Sequence, residues 1–70
     1  MNEITPRQAK ILAYLKNYIV DNGVPPSLAD IARHFKCSRT NANYHLSRLE
    51  DRGFVKRMPS IARGIKVLEL

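Results

Sequence analysis

Residues 40–47 of this 70-residue chain carry no charged side chain, and most of them can form hydrogen bonds. Four of them follow the spacing i, i+3, i+4, i+7, which places side chains on one face of a helix. They are Thr40, Asn43, Tyr44 and Ser47. Short amide and hydroxyl side chains can pair with base edges in the major groove of B-DNA, where each base pair presents its own donors and acceptors. No acidic residue interrupts the run, so the pattern favours contact with DNA bases.

The same residue types also have an ordinary structural explanation. Ser, Thr and Asn are common near helix starts, where their side chains bond to free backbone amides. For Thr40, Asn41 or Asn43 taken singly, that explanation is equally good. It is weaker for Tyr44, because a tyrosine on the polar face of a helix has no core to join.

Basic side chains flank this face and continue beyond Gly53. Arg39 and Arg48 can reach guanine or phosphate. After Gly53 the apolar period changes from 3.6 to 2, which predicts two short strands over residues 54–57 and 65–68. Four basic residues lie on or beside this hairpin: Lys56, Arg57, Arg63 and Lys66. Such a wing, residues 56–66, can straddle phosphates or place an arginine in a narrow minor groove. The alternative is a solvated hairpin whose charges discourage edge pairing.

Three residues of the hairpin loop, 58–64, carry expectations of their own. Pro59 cannot donate to a central ladder, so it belongs in the loop or on an edge. Gly64 lets the loop close. Ile61 is expected to pack back on the domain, with an apolar wedge or a partner contact as the alternative.

Capping residues and glycines mark three helices that must position these side chains. Thr5 and Gln8 have the spacing of a capping box, and Gly23 can end the helix in a left-handed conformation. A second helix begins after Ser27, and a third begins after Ser38 and ends near residue 53. The predicted helices cover about residues 6–22, 28–35 and 39–52.

Apolar residues recur at helical spacing in all three segments, which predicts a shared core. The candidates are Ile11, Leu12, Leu15 and Ile19, then Leu28, Ile31, Ala32 and Phe35, then Ala42, His45, Leu46 and Leu49. The turn at residues 36–38 is too short for an antiparallel return. The sequence therefore predicts a mostly α (α+β) fold in one domain over residues 1–70. Its architecture is a three-helix bundle with a C-terminal two-stranded β-hairpin, a winged helix-turn-helix.

Charge is distributed unevenly along the chain. The net charge is +6, and residues 33–66 hold nine basic and two acidic residues while residues 1–32 are neutral overall. The commonest polyanionic partner of such a surface is nucleic acid. A chain this short also leaves little room for a deep catalytic cleft.

Other kinds of site are not predicted. Cys37 is the single cysteine, and with two histidines at different helical phases it gives no zinc spacing; we expect it to be a small core filler. His45 is at a core-facing phase, and His34 has no companion for acid–base chemistry. We expect no enzymatic activity, cofactor, metal or small-molecule ligand. The sequence shows no membrane span or targeting segment, which is typical of a cytoplasmic protein.

Several short motifs together resemble the N-terminal DNA-binding domain of the LexA repressors. They are Thr5-Pro6-Arg7-Gln8, Gly23-Val24-Pro25-Pro26-Ser27, Ile31-Ala32, Asn41-Ala42, His45-Leu46, Leu49, Gly53 and Arg63-Gly64-Ile65. The resemblance runs from about Ile4 to Leu68. It implies a winged helix-turn-helix with the third helix in the major groove and the wing on the backbone. It places base-reading residues at Ser38, Thr40, Asn41, Asn43 and Tyr44.

The chain departs from that family in three ways. The family tends to have acidic residues at the positions of Asn43 and Tyr44, so the DNA site read here is expected to differ. Lys36 stands where glycine is usual, which requires a left-handed lysine at a cost of about 1 kcal/mol or a different turn. The sequence stops at Leu70 and does not include the self-cleaving serine-lysine domain of those repressors. The chain is therefore expected to be either an excised domain or a stand-alone regulator.

These observations favour a sequence-specific protein that binds double-stranded DNA and regulates transcription, with repression favoured over activation. A homodimer on a palindromic site is one arrangement, with residues 67–70 or helix one as the contact. The alternative function is a winged-helix module that binds a protein, such as an adaptor or antirepressor. It would use Tyr14, Tyr18 and Ile61 as exposed contacts. RNA binding is a third hypothesis, which the narrow A-form major groove makes weaker.

Overall fold

The computed structural model describes residues 4–58, 60–61 and 63–68. Three helices precede two strands, in the predicted order: α1 (Pro6–Asn22), α2 (Leu28–His34), α3 (Arg39–Asp51), β1 (Val55–Arg57) and β2 (Ile65–Val67). Helices α2 and α3 each end one residue earlier than predicted, and the strands are shorter than predicted. The expectation for Pro59 lies outside the described residues. The arrangement is that of a winged helix-turn-helix.

Each helix begins at a side chain that satisfies a free backbone amide. Thr5 Oγ1 accepts from the Gln8 amide at 3.1 Å, and Gln8 Oε1 accepts from the Thr5 amide at 3.1 Å. Ser27 and Asp30 form the same reciprocal pair at 3.0 Å in both directions. Ser38 Oγ accepts from the amide three residues ahead at 3.0 Å. These caps fix where the helices start.

The core lies where the three helices meet the inner face of the hairpin. Its buried apolar residues are Ile11, Leu12, Leu15, Ile31, Ala32, Ala42, Leu46, Leu49, Val55 and Ile65. Leu28, Phe35 and Cys37 are half-buried and pack against this cluster, which confirms the predicted place of the thiol. The predicted apolar faces are confirmed except at Ile19, which is half-buried and is not part of the cluster. Within the described ranges, no helix is long and apolar enough to cross a membrane.

The turn between α2 and α3 depends on a left-handed lysine. Lys36 has a φ of 55°, which confirms the first of the two predicted alternatives. The amide of Cys37 then donates to the Ala32 carbonyl at 2.9 Å and closes the end of α2. The left-handed residue costs about 1 kcal/mol, and it directs the chain into α3 within three residues.

The two strands form an antiparallel ladder with Val55 opposite Val67, Lys56 opposite Lys66 and Arg57 opposite Ile65. Side chains alternate between the faces of a strand. One face of the hairpin therefore carries the buried Val55 and Ile65, and the other carries the exposed Lys56 and Lys66.

Candidate nucleic-acid interface

Helix α3 buries one face and exposes the predicted polar face. Ala42 and Leu46 are fully buried, which turns the opposite side of the helix outward. On that side Thr40 and Asn43 are exposed, and 57% of the Tyr44 surface is exposed. The structure thus confirms that this uncharged stretch points outward. Ser47, the fourth member of the predicted face, is half-buried.

The first turn of α1 holds α3 in place through a buried amide. Gln8 is only 4% exposed, and its Nε2 lies 3.1 Å from Nδ1 of His45. The Oε1 of the same side chain is used by the Thr5 capping box. Because both ends of the amide are partnered, its burial is not costly. His45 is half-buried, in agreement with its predicted core-facing phase, and this contact fixes the helix position next to Tyr44.

The start of α3 presents three further predicted residues. Ser38, Arg39 and Asn41 are all exposed. The Ser38 hydroxyl already accepts the Asn41 amide as the helix cap. The hydroxyl still has its proton and a second lone pair, and the proton suits an acceptor such as a phosphate oxygen. Arg39 and Asn41 lie at the edges of the polar face.

Sequence reasoning missed one residue beside this face, Arg52. A shallow groove between α3 and the start of α1 is lined by Tyr44, Arg48, Arg52 and Thr5. Arg48 lies 4.0 Å from Asp51, at the limit of an ion pair, and the two side chains are 43% and 66% exposed. The four-residue spacing of 44, 48 and 52 was the available signal, because it aligns side chains along one helix face. The groove therefore joins two cations to the polar face.

The wing carries its cations beside α3. Lys56 and Lys66 are exposed on the outer face of the hairpin, directly opposite each other. Arg57 is half-buried, and its amide donates to Oε2 of Glu50 at 3.1 Å. That hydrogen bond ties the first strand to the last turn of α3.

Arg63 differs from the other wing cations because it is engaged within the domain. Its Nη1 lies 3.1 Å from Oδ2 of Asp30, 3.0 Å from the Pro25 carbonyl oxygen and 3.4 Å from the Tyr18 hydroxyl. The side chain is 41% exposed. The backbone amide of Ser27, followed by the nearby Arg63, holds the pKa of Asp30 below its usual range. Contact with phosphate, as the sequence predicted for Arg63, would have to coexist with these bonds.

Two expectations for apolar and aromatic residues are wrong. Ile61 does not pack back on the domain, since 56% of its surface is exposed. Tyr14 and Tyr18 are half-buried, so they are not the exposed contacts that a protein-binding module would offer. Tyr14 stacks on the exposed His34 with ring centroids 4.1 Å apart, and burial raises the pKa of its hydroxyl. The prediction for Ile61 failed because the residues near it in space cannot be identified from the sequence.

The chain is similar to known proteins over nearly its whole length. The family model of the LexA DNA binding domain matches residues 1–64. The LexA repressor of Thermosipho melanesiensis is 41% identical over 69 residues, which are 99% of this chain and 35% of that protein. The LexA repressor of Geobacter metallireducens is 41% identical over 69 residues, covering 97% of this chain and 34% of that protein. The LexA repressor of Shewanella pealeana is 43% identical over 70 residues, covering 99% of this chain and 34% of that protein. The chain spans about a third of the length of these repressors.

Proposed function

Because the chain belongs to the LexA DNA-binding domain family, we propose that it binds specific sequences of double-stranded DNA and represses transcription. The observation that carries the proposal is the outward face of α3. Thr40, Asn43 and Tyr44 are exposed there, with no acidic side chain between residues 38 and 48. An ordinary solvent face of a helix mixes Glu and Lys, whereas this face offers uncharged donors and acceptors. It therefore suits a groove whose base pairs are distinguished by hydrogen-bonding pattern.

In the proposed complex, α3 lies in the major groove and base edges are read from its polar face. An asparagine can pair bidentately with adenine, and a threonine methyl can contact the methyl of thymine. The proposed base-reading residues are Ser38, Thr40, Asn41, Asn43, Tyr44 and Ser47. Tyr44 adds a large aromatic surface with a hydroxyl at its tip. Its ring is held in edge contact with His45, with centroids 5.3 Å apart.

Phosphate contacts are proposed for the cations that flank this face. They are Arg39, Arg48, Lys56, Arg57 and Lys66, and the groove beside Tyr44 adds Arg52. Lys56 and Lys66 support the assignment most directly, because like charges directly opposite in a ladder destabilise each other. A phosphate between the two ammonium groups relieves that repulsion. A bound anion therefore stabilises this wing more than it would stabilise a hairpin with alternating charges.

A single domain of this size contacts only one half-site. We propose that two copies bind a palindromic site, since pairing on DNA doubles the contacts that one α3 helix makes. Binding to chromosomal DNA implies a location in the cytoplasm, at the nucleoid. The function is binding without catalysis.

A titration of fluorescently labelled random-sequence duplex DNA tests the electrostatic part of the proposal. With about six phosphate contacts, log affinity should fall against log salt with a slope near −5. A labelled RNA duplex of the same length is the matched control. It should bind more weakly, because its deep, narrow major groove does not admit a helix. An affinity for DNA that does not change with salt, or equal affinity for both duplexes, would remove the proposal.

A further inference from the structure

Arg63 makes more side-chain hydrogen bonds than the other cations of the wing, and its guanidinium lies against α1, the linker before α2, and α2. Nη1 of Arg63 reaches one acceptor on α1, one in the linker before α2 and one on α2. These acceptors are 33 to 45 positions away in the chain. Tyr18 also donates to Oδ2 of Asp30, at 3.5 Å. We name this set, Arg63 with Tyr18, Pro25 and Asp30, the Arg63 latch.

The loop backbone is shaped to make the latch. Arg63 has a φ of 57°, a left-handed conformation that residues with a Cβ rarely adopt. Gly64 follows, and a Cβ at that position would meet the carbonyl oxygens of Met58 and Ile61. The amide of Met58 donates to the Gly64 carbonyl at 2.7 Å and closes the loop. Two unusual backbone positions in succession thus direct the Arg63 guanidinium toward α2.

Asp30 is a suitable partner because α2 already holds it in place. Its Oδ2 accepts the Ser27 amide at 3.0 Å as part of the helix cap, so the carboxylate cannot move away from the wing without loss of the cap. Only 19% of the Asp30 side chain is exposed, compared with 75% for Arg33, its other cationic neighbour at 3.5 Å. A carboxylate fixed on the helix-turn-helix and a guanidinium fixed in the wing therefore link the two DNA-facing parts of the domain.

We propose that Arg63 is a positioning residue, which fixes the wing against α2 so that Lys56 and Lys66 meet DNA together with α3. The inference rests on the proposed function and adds a residue pair that acts through the wing. A positioning role for Arg63 differs from a phosphate contact because it requires Asp30 as well. If Arg63 only contacted phosphate, removal of the Asp30 charge would leave DNA affinity unchanged or raise it, because a negative charge near DNA is repulsive. If Arg63 acts through the latch, removal of either partner lowers the affinity.

A double-mutant cycle with Arg63→Gln, Asp30→Asn and both together separates these roles. Asn keeps an oxygen that can accept the Ser27 amide, and far-UV circular dichroism checks that the helices persist. Amide hydrogen exchange at Met58 reports whether the wing stays closed, independently of DNA. Anisotropy on a random-sequence duplex reports affinity and its salt slope. Lys66→Gln is the matched control, since it removes a wing charge outside the latch and should leave exchange at Met58 unchanged.

The latch predicts faster exchange at Met58 in both single variants. It also predicts a loss of affinity of up to about fivefold in each, the range of a partly exposed ion pair. The double variant should bind no more weakly than the single variants, because they break the same contact. The salt slope should become shallower by the same amount in Arg63→Gln and Asp30→Asn, because each variant lets the same wing cations, Lys56 and Lys66, move away from the DNA.

Two results would overturn the latch. One is unchanged exchange at Met58 in both single variants. The other is an affinity that is unchanged or higher in Asp30→Asn, with the wild-type salt slope, combined with a slope about 0.9 shallower in Arg63→Gln alone, as expected for a lost phosphate contact. Failure of the wild-type chain to bind the duplex at all overturns the proposed function, and exchange at Met58 distinguishes that failure from failure of the latch.

Discussion

Lys56 and Lys66 are direct partners across the two-stranded sheet, and both are exposed on the face opposite the buried Val55 and Ile65. The arrangement costs stability in the free protein, because like charges at opposed positions repel. It also concentrates positive charge at one point of the wing. An anion bound at this pair should therefore also stabilise the hairpin.

The first prediction follows from this pair. Lys56→Gln or Lys66→Gln should lower affinity for all duplexes alike and make the salt slope shallower by about 0.9 each. Neither variant should unfold at lower urea concentration than the wild-type chain, because each one removes a repulsion. Lys10→Gln, an exposed lysine on α1, is the control and should leave the slope unchanged. A fall in specific but not random affinity would argue against phosphate contact.

The second prediction concerns base reading by α3. Asn43→Ala and Tyr44→Ala should each weaken binding to a preferred site by about 1–3 kcal/mol while random DNA is bound nearly as before. Both side chains are exposed, so the fold should be unaffected. Paired anisotropy titrations on a preferred and a scrambled duplex measure the difference. Asn17→Ala, an exposed asparagine on α1, should change neither affinity. Equal losses on both duplexes would show that these residues contact the backbone instead.

The third prediction addresses the contact between Gln8 and His45. Gln8→Ala removes a buried amide that serves both the α1 cap and α3. The free energy of unfolding should fall by about 1–3 kcal/mol, the cost of leaving buried partners unsatisfied. Urea denaturation followed by circular dichroism measures it. A variant as stable as the wild-type chain would mean that water replaces the amide on both sides.

The fourth prediction compares two glycines. Gly64→Ala brings a Cβ against the carbonyl oxygens of Met58 and Ile61, whereas Gly23→Ala meets nothing within 4 Å but requires a φ of 78°. Gly64→Ala should open the wing and lower DNA affinity. Gly23→Ala should cost about 1–2 kcal/mol of stability without any change in affinity at a temperature where it is folded. Similar DNA binding by both variants would show that the closed loop is not needed.

The fifth prediction is the pH dependence of stability. The Asp30 pKa is lowered from 3.8, first by the Ser27 amide and also by Arg63. Arg33 lies on the same helix, and Tyr18 faces the carboxylate from α1. Because the folded pKa is below the unfolded one, the carboxylate stabilises the fold above about pH 4. That stabilisation is lost as the pH falls through the lower, folded pKa.

Urea denaturation between about pH 2 and pH 6 measures this dependence, since the carboxylate titrates within that range. Asp30→Asn should show a flatter profile than the wild-type chain. Asp21→Asn, which changes an exposed carboxylate on α1, is the control and should keep the wild-type profile. An Asp30→Asn profile parallel to that of the wild-type chain would contradict the assignment.

Much of the fold was accessible from the sequence because its signals are local. The Thr5 and Ser27 caps, the apolar spacing of α1 and the turn at Lys36 each depend on residues within a few positions of one another. The exposure of the α3 polar face followed from the same periodicity. The ends of α2 and α3 differ from the predicted positions by one residue, because the last turn of a helix depends on weaker sequence preferences than the first.

The parts that could not be predicted depend on contacts between distant residues. The partners of Arg63 are more than 30 positions away in the chain. The sequence around Arg63 therefore predicted only a wing cation available to phosphate. The exposure of Ile61 and the half-burial of Tyr14 depend on how the wing and α2 pack. No local pattern encodes these distances. Arg52 is a different case, since its four-residue spacing from Arg48 was available and was overlooked.

Selection from a library of random DNA duplexes tests the central proposal most directly. Sequence-specific recognition by α3 predicts that a few rounds of binding and amplification enrich one motif, with two inverted copies if two domains pair. The same selection with Asn43→Ala should lose the preference at one position of each copy. A pool that stays random after selection with the wild-type chain would contradict sequence-specific recognition.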